Sequence, residues 1–421
     1  MNKRTNRTLA VLAAGSLLAV ACSDDEGADD TSPATGDTSP ATGDTSATSA
    51  TSDTTATTAT GGTADTTATT AGSGSTASAA GIDLSGVCPD PLVIQTDWFP
   101  ESEHGALYEM VGDEYEVDTD AKRVTGPLVA GGQDTGIAVE VRTGGPAIGF
   151  NPVASTLYTD DSIHIGYANT ESQVLQTDTP LVSVLAPLEI NPQIIMWDPE
   201  TYPDVETLAD LGEENVTINV FSGGVFSEVF VADGTWSADQ VDPSYEGVPA
   251  RFVAEGGNIA QQGFASAEPY NYEEVFEEWG KPVEYQLLHE AGFEVYSQTL
   301  GVRRGDLESL GPCLEQVVPV IQQAAIDYIN EPDRTNGIVI DIVEQFDDVW
   351  VYDEGVANFS VETQKELGLV GNGPDDTLGN MDEARIQGVI DQMREADMDV
   401  PADLEAADLF TNEFIDTSIG L

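Results

Sequence analysis

Trp98 closes the apolar run Pro91 to Phe99, and His104 follows six residues later, so a flat ring and an imidazole meet where a strand yields to a helix. An indole face stacks on a ring or covers an aliphatic chain. The imidazole either contacts a ligand or serves as a capping or surface residue at the helix start. Further on, Val216 to Phe221 reads as a strand entering Ser222-Gly223-Gly224, ahead of a helix over 226–232. That turn either offers backbone N–H groups to a carboxylate, sulfonate, phosphate or carbonyl oxygen, or is a tight strand-to-helix connection. Glu268 stands before Pro269 with Tyr270 and Tyr272 nearby. Facing a cleft, its carboxylate accepts hydrogen bonds from an amino group or a protonated ring. The alternative is an ion pair with Arg251 or Arg303. Thr143 and Asn169 follow strand-like segments and offer polar contacts. Gly144-Gly145-Pro146 either brings backbone close to a ligand, through Gly145, or starts a helix.

These residue types bind; they do not compose a nucleophile with its base. The sequence has no G-x-S-x-G elbow, no H-E-x-x-H and no closely spaced set of metal ligands. Three cysteines and three histidines leave little for a zinc ribbon or an iron–sulfur site. No metal and no cofactor is expected. Among 75 acidic residues, chance carboxylate pairs carry no catalytic meaning.

The elements that must position these residues alternate. Strands are expected at 91–99, 137–141, 163–167, 181–188, 193–197 and 216–221, and a helix begins at 103–111. Such alternation indicates an α/β fold with mainly parallel sheets. The last third is more helical. Leu314, Val317, Val318, Ile321, Ala325 and Tyr328 recur at helical spacing, with Pro312 placed for a first turn and Pro319 expected to kink or shorten the helix. Asn380 with Glu383 reads as a capping box ahead of the stripe Ile386, Val389, Ile390 and Met393.

The chain has 421 residues, 40% of them hydrophobic, enough for two cored domains, and a formal net charge of −61. Its lysines are Lys3, Lys122, Lys281 and Lys365, which excludes an electrostatic grip on nucleic acid and a cationic membrane-surface helix. The start is export-like: Lys3, Arg4 and Arg7 precede the apolar run Leu9 to Ala21, shorter than the ~20 residues of a spanning helix. Leu18-Ala19-Val20-Ala21-Cys22 resembles a bacterial lipobox, with Ala19 where Leu is usual; residues 1–21 would be cleaved and Cys22 lipidated, or the signal is an ordinary one. Residues 22–87 read as a disordered Ser/Thr/Ala/Asp-rich tether, with Thr31 to Asp37 repeated at Thr38 to Asp44. Cys88 and Cys313 remain, and in an oxidising compartment a disulfide between them is the default, two buried thiols the alternative.

The stretch Asp97-Trp98-Phe99-Pro100-Glu101-Ser102-Glu103-His104-Gly105 resembles the opening motif of the SsuA/THI5-like (NMT1/THI5-like) substrate-binding proteins of ABC importers. Gly144 to Gly149, Gln262 to Pro269 and Val295 to Arg303 agree with that family in order, so the likeness spans roughly residues 90–393. The resemblance implies a type II periplasmic-binding-protein fold, two α/β lobes joined by hinge strands. Lobe one would be 88–190 with 297–421 and lobe two 191–296, with both cysteines in one lobe. It further implies a monomeric, extracytoplasmic, lipid-anchored binding protein that hands a small molecule to a membrane permease. Trp98, His104 and Glu268 together favour a nitrogenous ligand such as a thiamine pyrimidine precursor; sulfonate or taurine, nitrate and riboflavin are the alternatives. The enzyme branch of the family, which makes the pyrimidine from pyridoxal phosphate and its own histidine, needs a Lys and a cysteine-rich segment. Residues 143–150 hold neither Lys nor His, so no enzyme is expected.

Overall fold

The structure is a computed structural model that describes residues 81–348 and 350–421. The export-like start, Cys22 and the tether up to residue 80 lie outside the described residues. Residues before Cys88 already pack on the fold: Leu84 is fully buried and its N–H donates to Thr135 O at 2.9 Å.

Two sheets organise the molecule. The first contains β1 (Leu92–Gln95), β2 (Glu116–Asp118), β3 (Arg123–Ala130), β4 (Gln133–Arg142), β5 (Ile165–Ala168) and β6 (Leu181–Leu185). The chain then crosses to β7 (Gln193–Trp197), β8 (Thr217–Asn219), β9 (Val241–Asp242), β10 (Ile259–Phe264) and β11 (Glu284–Leu287) in the second, and returns to the first as β12 (Thr299–Arg303). Strand order is β2-β3-β4-β1-β5-β12-β6 and β11-β7-β10-β8-β9. Both sheets share one plan. In each, the strand entered on crossing from the other lobe, β12 or β7, is inserted antiparallel beside parallel strands, and the first sheet adds the antiparallel hairpin strand β3 near its edge.

Local sequence explains the strands. β1 (LVIQ) and β6 (LVSVL) are buried at every position, as strands covered on both faces must be. β3 alternates half-buried and buried residues and pairs antiparallel with β4 across Gly131-Gly132, whose φ values of 53° and 72° suit a two-residue hairpin. The helix Leu307–Asn330 runs unbroken through Pro312 and Pro319, against the expected kink; it starts five residues before Pro312. A proline removes one hydrogen bond locally. Here eleven buried side chains on one stripe outweigh that loss. Gly105 lets the helix Gly105–Glu109 lie on it: a Cβ there would stand 2.0 Å from Tyr328 Cε1. The final helix, Glu383–Glu395, is capped by the Asp382 carboxylate, which accepts from Arg385 N at 2.9 Å; Asn380 does not cap it and instead donates to Asp375 at 2.7 Å.

A disulfide joins Cys88 to Cys313, with Cα atoms 4.7 Å apart, and ties the N-terminal turn to the long helix of the first lobe. Residues 381–409, placed by sequence in the first lobe, pack on both lobes. Met381, Ile386, Val389, Ile390 and Met393 share an apolar core with Phe226, Phe230, Trp236 and Phe293 of the second and with Val174 and Ala186 of the first. The chain then returns to the first sheet, where Ser183 N donates to Leu409 O at 2.9 Å and Phe414 joins the first core.

Candidate functional site

The carboxyl end of β1 delivers the segment 96–104 to the gap between the lobes. Thr96 and Trp98 are fixed by backbone: Thr96 Oγ1 donates to Trp98 O at 2.9 Å, and Gly144 N to the same oxygen at 3.0 Å. Gly144 and Gly145 pack tightly beneath this loop. A Cβ on Gly145, whose φ is +55°, would stand 2.8 Å from Trp98 Cε3. The Gly-Gly-Pro turn therefore seats the tryptophan and leads into a 3-10 turn, Gly145–Ile148, without lining the cleft itself. On the other side, the indole meets Phe221 of the second lobe with ring centres 6.0 Å apart, and Phe150 and Trp350 at 6.1 and 6.2 Å.

Beside Trp98 lies a cavity of about 420 Å³ bounded by both lobes. Trp98, Asn169, Ser222 and Glu268 of the sequence-selected residues line it. Asn169 Oδ1 accepts from Gln298 N at 3.0 Å, linking the end of β5 to the returning hinge. Ser222 is exposed at the rim, while Gly223, with φ +81°, and Gly224 form the turn behind it. Glu268 Oε2 accepts from Phe264 N at 2.6 Å, and burial pushes its carboxyl up to about 7. Among the described residues it forms no ion pair: Arg251 pairs with Asp242 and Arg303 with Asp306.

Three other residues stand back from the cavity. His104 is fully buried; its Nε2 donates to Asp97 Oδ1 at 2.9 Å, and its ring stacks on Tyr167 with centres 5.1 Å apart. It thus supports the cavity wall from behind. Thr143 is buried in the sheet, its N–H donating to Lys122 O at 2.9 Å. Tyr272 is buried under β10, its hydroxyl accepting from Gln261 Nε2 at 2.7 Å and its ring packed on Phe252.

Several lining residues carry no local sequence signal. Tyr167, Gln298, Tyr245, Phe150 and Trp350 all face the cavity, and so do Glu101 and Glu103, which lie within the Asp97–Gly105 motif without being singled out there. Glu101 and Glu103 are 7% and 6% exposed, and burial raises both carboxyls, Glu101 well above its usual range, aided by neighbouring carboxylates. The Ser266 hydroxyl of the second lobe donates to Glu103, a contact directly across the cleft. No lysine, arginine or histidine is among the lining residues. Among the described residues no cluster of three or more His, Cys, Asp or Glu is arranged to hold a metal ion. Rings and carboxylates around an enclosed space can stack on and hydrogen-bond a small molecule.

No family model and no curated protein matches the chain. Solved structures do. One from Bordetella bronchiseptica RB50 is 14% identical, with 77% of this chain and 96% of that chain covered at a TM-score of 0.50. The alkanesulfonate-binding protein SsuA from Xanthomonas axonopodis pv. citri is 14% identical over 77% of this chain and 99% of that chain, TM-score 0.47. The periplasmic nitrate-binding protein NrtA from Synechocystis PCC 6803 is 12% identical over 75% and 91%, TM-score 0.38. With an antiparallel crossing strand in each of its two sheets, the chain has the type II periplasmic-binding-protein fold.

Proposed function

We propose that this chain is the extracytoplasmic solute-binding component of an ABC importer, held at the membrane by lipid on Cys22, and that it carries a small nitrogenous molecule to a permease. The observation that carries the reading is the cavity of about 420 Å³ at the carboxyl ends of strands from two lobes, with Trp98 on one side and Glu268 and Phe221 on the other. Open α/β sheets gather ligands at that edge. A ligand touching both lobes stabilises their closed arrangement and shifts an existing open–closed equilibrium. A thiamine pyrimidine precursor fits the Trp98 face and a carboxylate partner. The residues acting in capture would be Trp98, Asn169, Ser222 and Glu268, with Gly145 and His104 positioning them.

A thermal-shift screen of the protein against pyrimidine precursors, sulfonates, flavins and nitrate tests this. A ligand present at a hundred times its Kd adds about 2.7 kcal/mol, a readily measured rise in melting temperature. Trp98→Ala should abolish the rise while leaving the unliganded melting temperature nearly unchanged. Normal binding by that variant would move the site elsewhere.

A further inference from the structure

One part of the cavity is built from residues not singled out as contacts from the sequence, although Glu101, Glu103 and Gln298 lie within the matching segments. Glu101 and Glu103 rise from the turn after Trp98. Tyr167 comes from β5 and Gln298 from the hinge segment that re-enters as β12. Two of these hold polar atoms with no partner: Tyr167 Oη and Gln298 Oε1, on side chains 1% and 2% exposed. The amide of Gln298 is oriented by Asp97, whose Oδ1 accepts from Nε2 at 3.2 Å, so Oε1 is left a buried acceptor without a partner on a residue that lines the cavity. Its backbone is held at φ +54°, a conformation costly for a residue with a Cβ and retained only where the surroundings enforce it.

Every charged group at this end is an acid or the one imidazole. Facing Glu101 and Glu103 are Asp97 and His104 from their own loop, Tyr108 from the next helix, Tyr167 from β5 and Glu268 from the second lobe. Tyr328 and Tyr352 close the back. His104 already donates to Asp97. Buried carboxylates in such a place hold protons or a cation, because like charges in a poorly solvated site cannot all ionise. Burial raises Glu101, Glu103 and Glu268 together, which favours protons on this cluster.

We infer that this floor recognises a flat, N–H-rich cation, an amidinium or a protonated aminoheterocycle, and that capture exchanges protons for it. The cation's N–H groups donate to Glu101 and to Gln298 Oε1, its ring lies against Trp98, and protons leave the Glu101–Glu103–Glu268 cluster for the buffer. This deepens the solute-binding reading and rests on it. An anion of the same shape finds carboxylates and an acceptor carbonyl in place of donors.

Three probes sharing one ring separate the possibilities: benzamidine, neutral benzamide and benzenesulfonate, titrated into the full chain by calorimetry at pH 6.5. Benzamidine should bind at least tenfold tighter than benzamide, and benzenesulfonate not measurably. Its observed heat should vary with the ionisation enthalpy of the buffer, with the sign of proton release, and its affinity should rise from pH 5.5 to 7.5. Glu101→Gln, which keeps the shape, should remove the preference for benzamidine over benzamide and reduce the buffer dependence. Tyr167→Phe, a second variant that deletes only the hydroxyl, should weaken benzamidine several-fold. Benzenesulfonate binding as tightly as benzamidine, benzamidine binding without proton release, or no binding by any probe overturns the inference. The screen described above then decides the importer reading separately: a Trp98-dependent thermal shift by any other compound leaves that reading standing without the cation floor, and no shift with any compound removes both.

Discussion

Gly145 lies so close beneath the indole of Trp98 that the pair act as one unit. Gly145→Ala places a methyl group 2.8 Å from Cε3 on a backbone at φ +55°, so it both strains the turn and displaces the ring. Ligand affinity should fall at least tenfold, with a loss of stability of about 1–2 kcal/mol, read by tryptophan fluorescence titration and urea unfolding. A second prediction at this scale concerns pH. Burial pushes Glu171, Glu189 and Glu268 each up to about 7 from 4.5. A carboxyl raised on folding makes the folded state bind more protons, so stability is full below 4.5 and declines as pH climbs to 7. His164 and His289, lowered by burial, act in the opposite sense below 6.5. Three carboxyls with large shifts outweigh two imidazoles, and the net charge of −61 adds repulsion in the same direction. The unliganded protein should therefore show a higher urea midpoint at pH 5 than at pH 8, and Glu171→Gln should narrow the gap; a higher midpoint at pH 8 refutes this. Trp98 and Glu268 were legible because each stands in a distinctive local setting. Glu101 and Glu103 were not, since nothing in a chain with 75 acids marks which carboxylates become buried.

Elements were legible where one face or both are apolar. β1, β6, β7 and the stripe of the long helix announced themselves through uninterrupted or helically spaced hydrophobic residues. Their punctuation was not, because proline and cap signals are weak beside tertiary packing: the helix through Pro319 and the cap at Asp382 both show it. The cap matters, since it places Arg385 in the first turn of the last helix. Its guanidinium lies 3.7 Å from the centre of the Tyr296 ring and donates to Glu189 O, Glu294 O and Val295 O at 2.8, 2.6 and 2.9 Å. Glu189 belongs to the crossing from β6 to β7, and Glu294 and Val295 to that from β11 to β12. One side chain thus clasps both crossings. Arg385→Lys cannot reproduce the forked geometry. It should preserve the fold, lower ligand affinity several-fold without touching the cavity, and enlarge the unliganded radius of gyration by small-angle scattering. An unchanged radius and affinity would show that the clasp does not govern closure.

At the scale of the molecule, the α/β character followed from regular alternation of strands and helices, and the two-lobed plan from the resemblance carried by Asp97 to Gly105 and Gln262 to Pro269. The path of the C-terminal segment did not follow, because its apolar stripe fits either lobe equally well on paper. The disulfide from Cys88 to Cys313 closes a separation of 225 residues inside the first lobe. Cys88→Ser with Cys313→Ser should cost on the order of 4–5 kcal/mol in the chain-entropy account, measured by urea unfolding. Ligand affinity should stay within twofold, because neither sulfur lies at the cleft. The chain passes between the halves at β6 to β7, again at β11 to β12, then out near Met381 and back by Phe414. Asn412 fastens the last two passages to each other, taking Met381 N at 3.0 Å and giving to Met381 O at 2.9 Å. A waist sewn four times leaves small scope for wide gaping; breathing of this vessel would be a shallow twist, and whatever docks on its rim would have to sense a small change of shape.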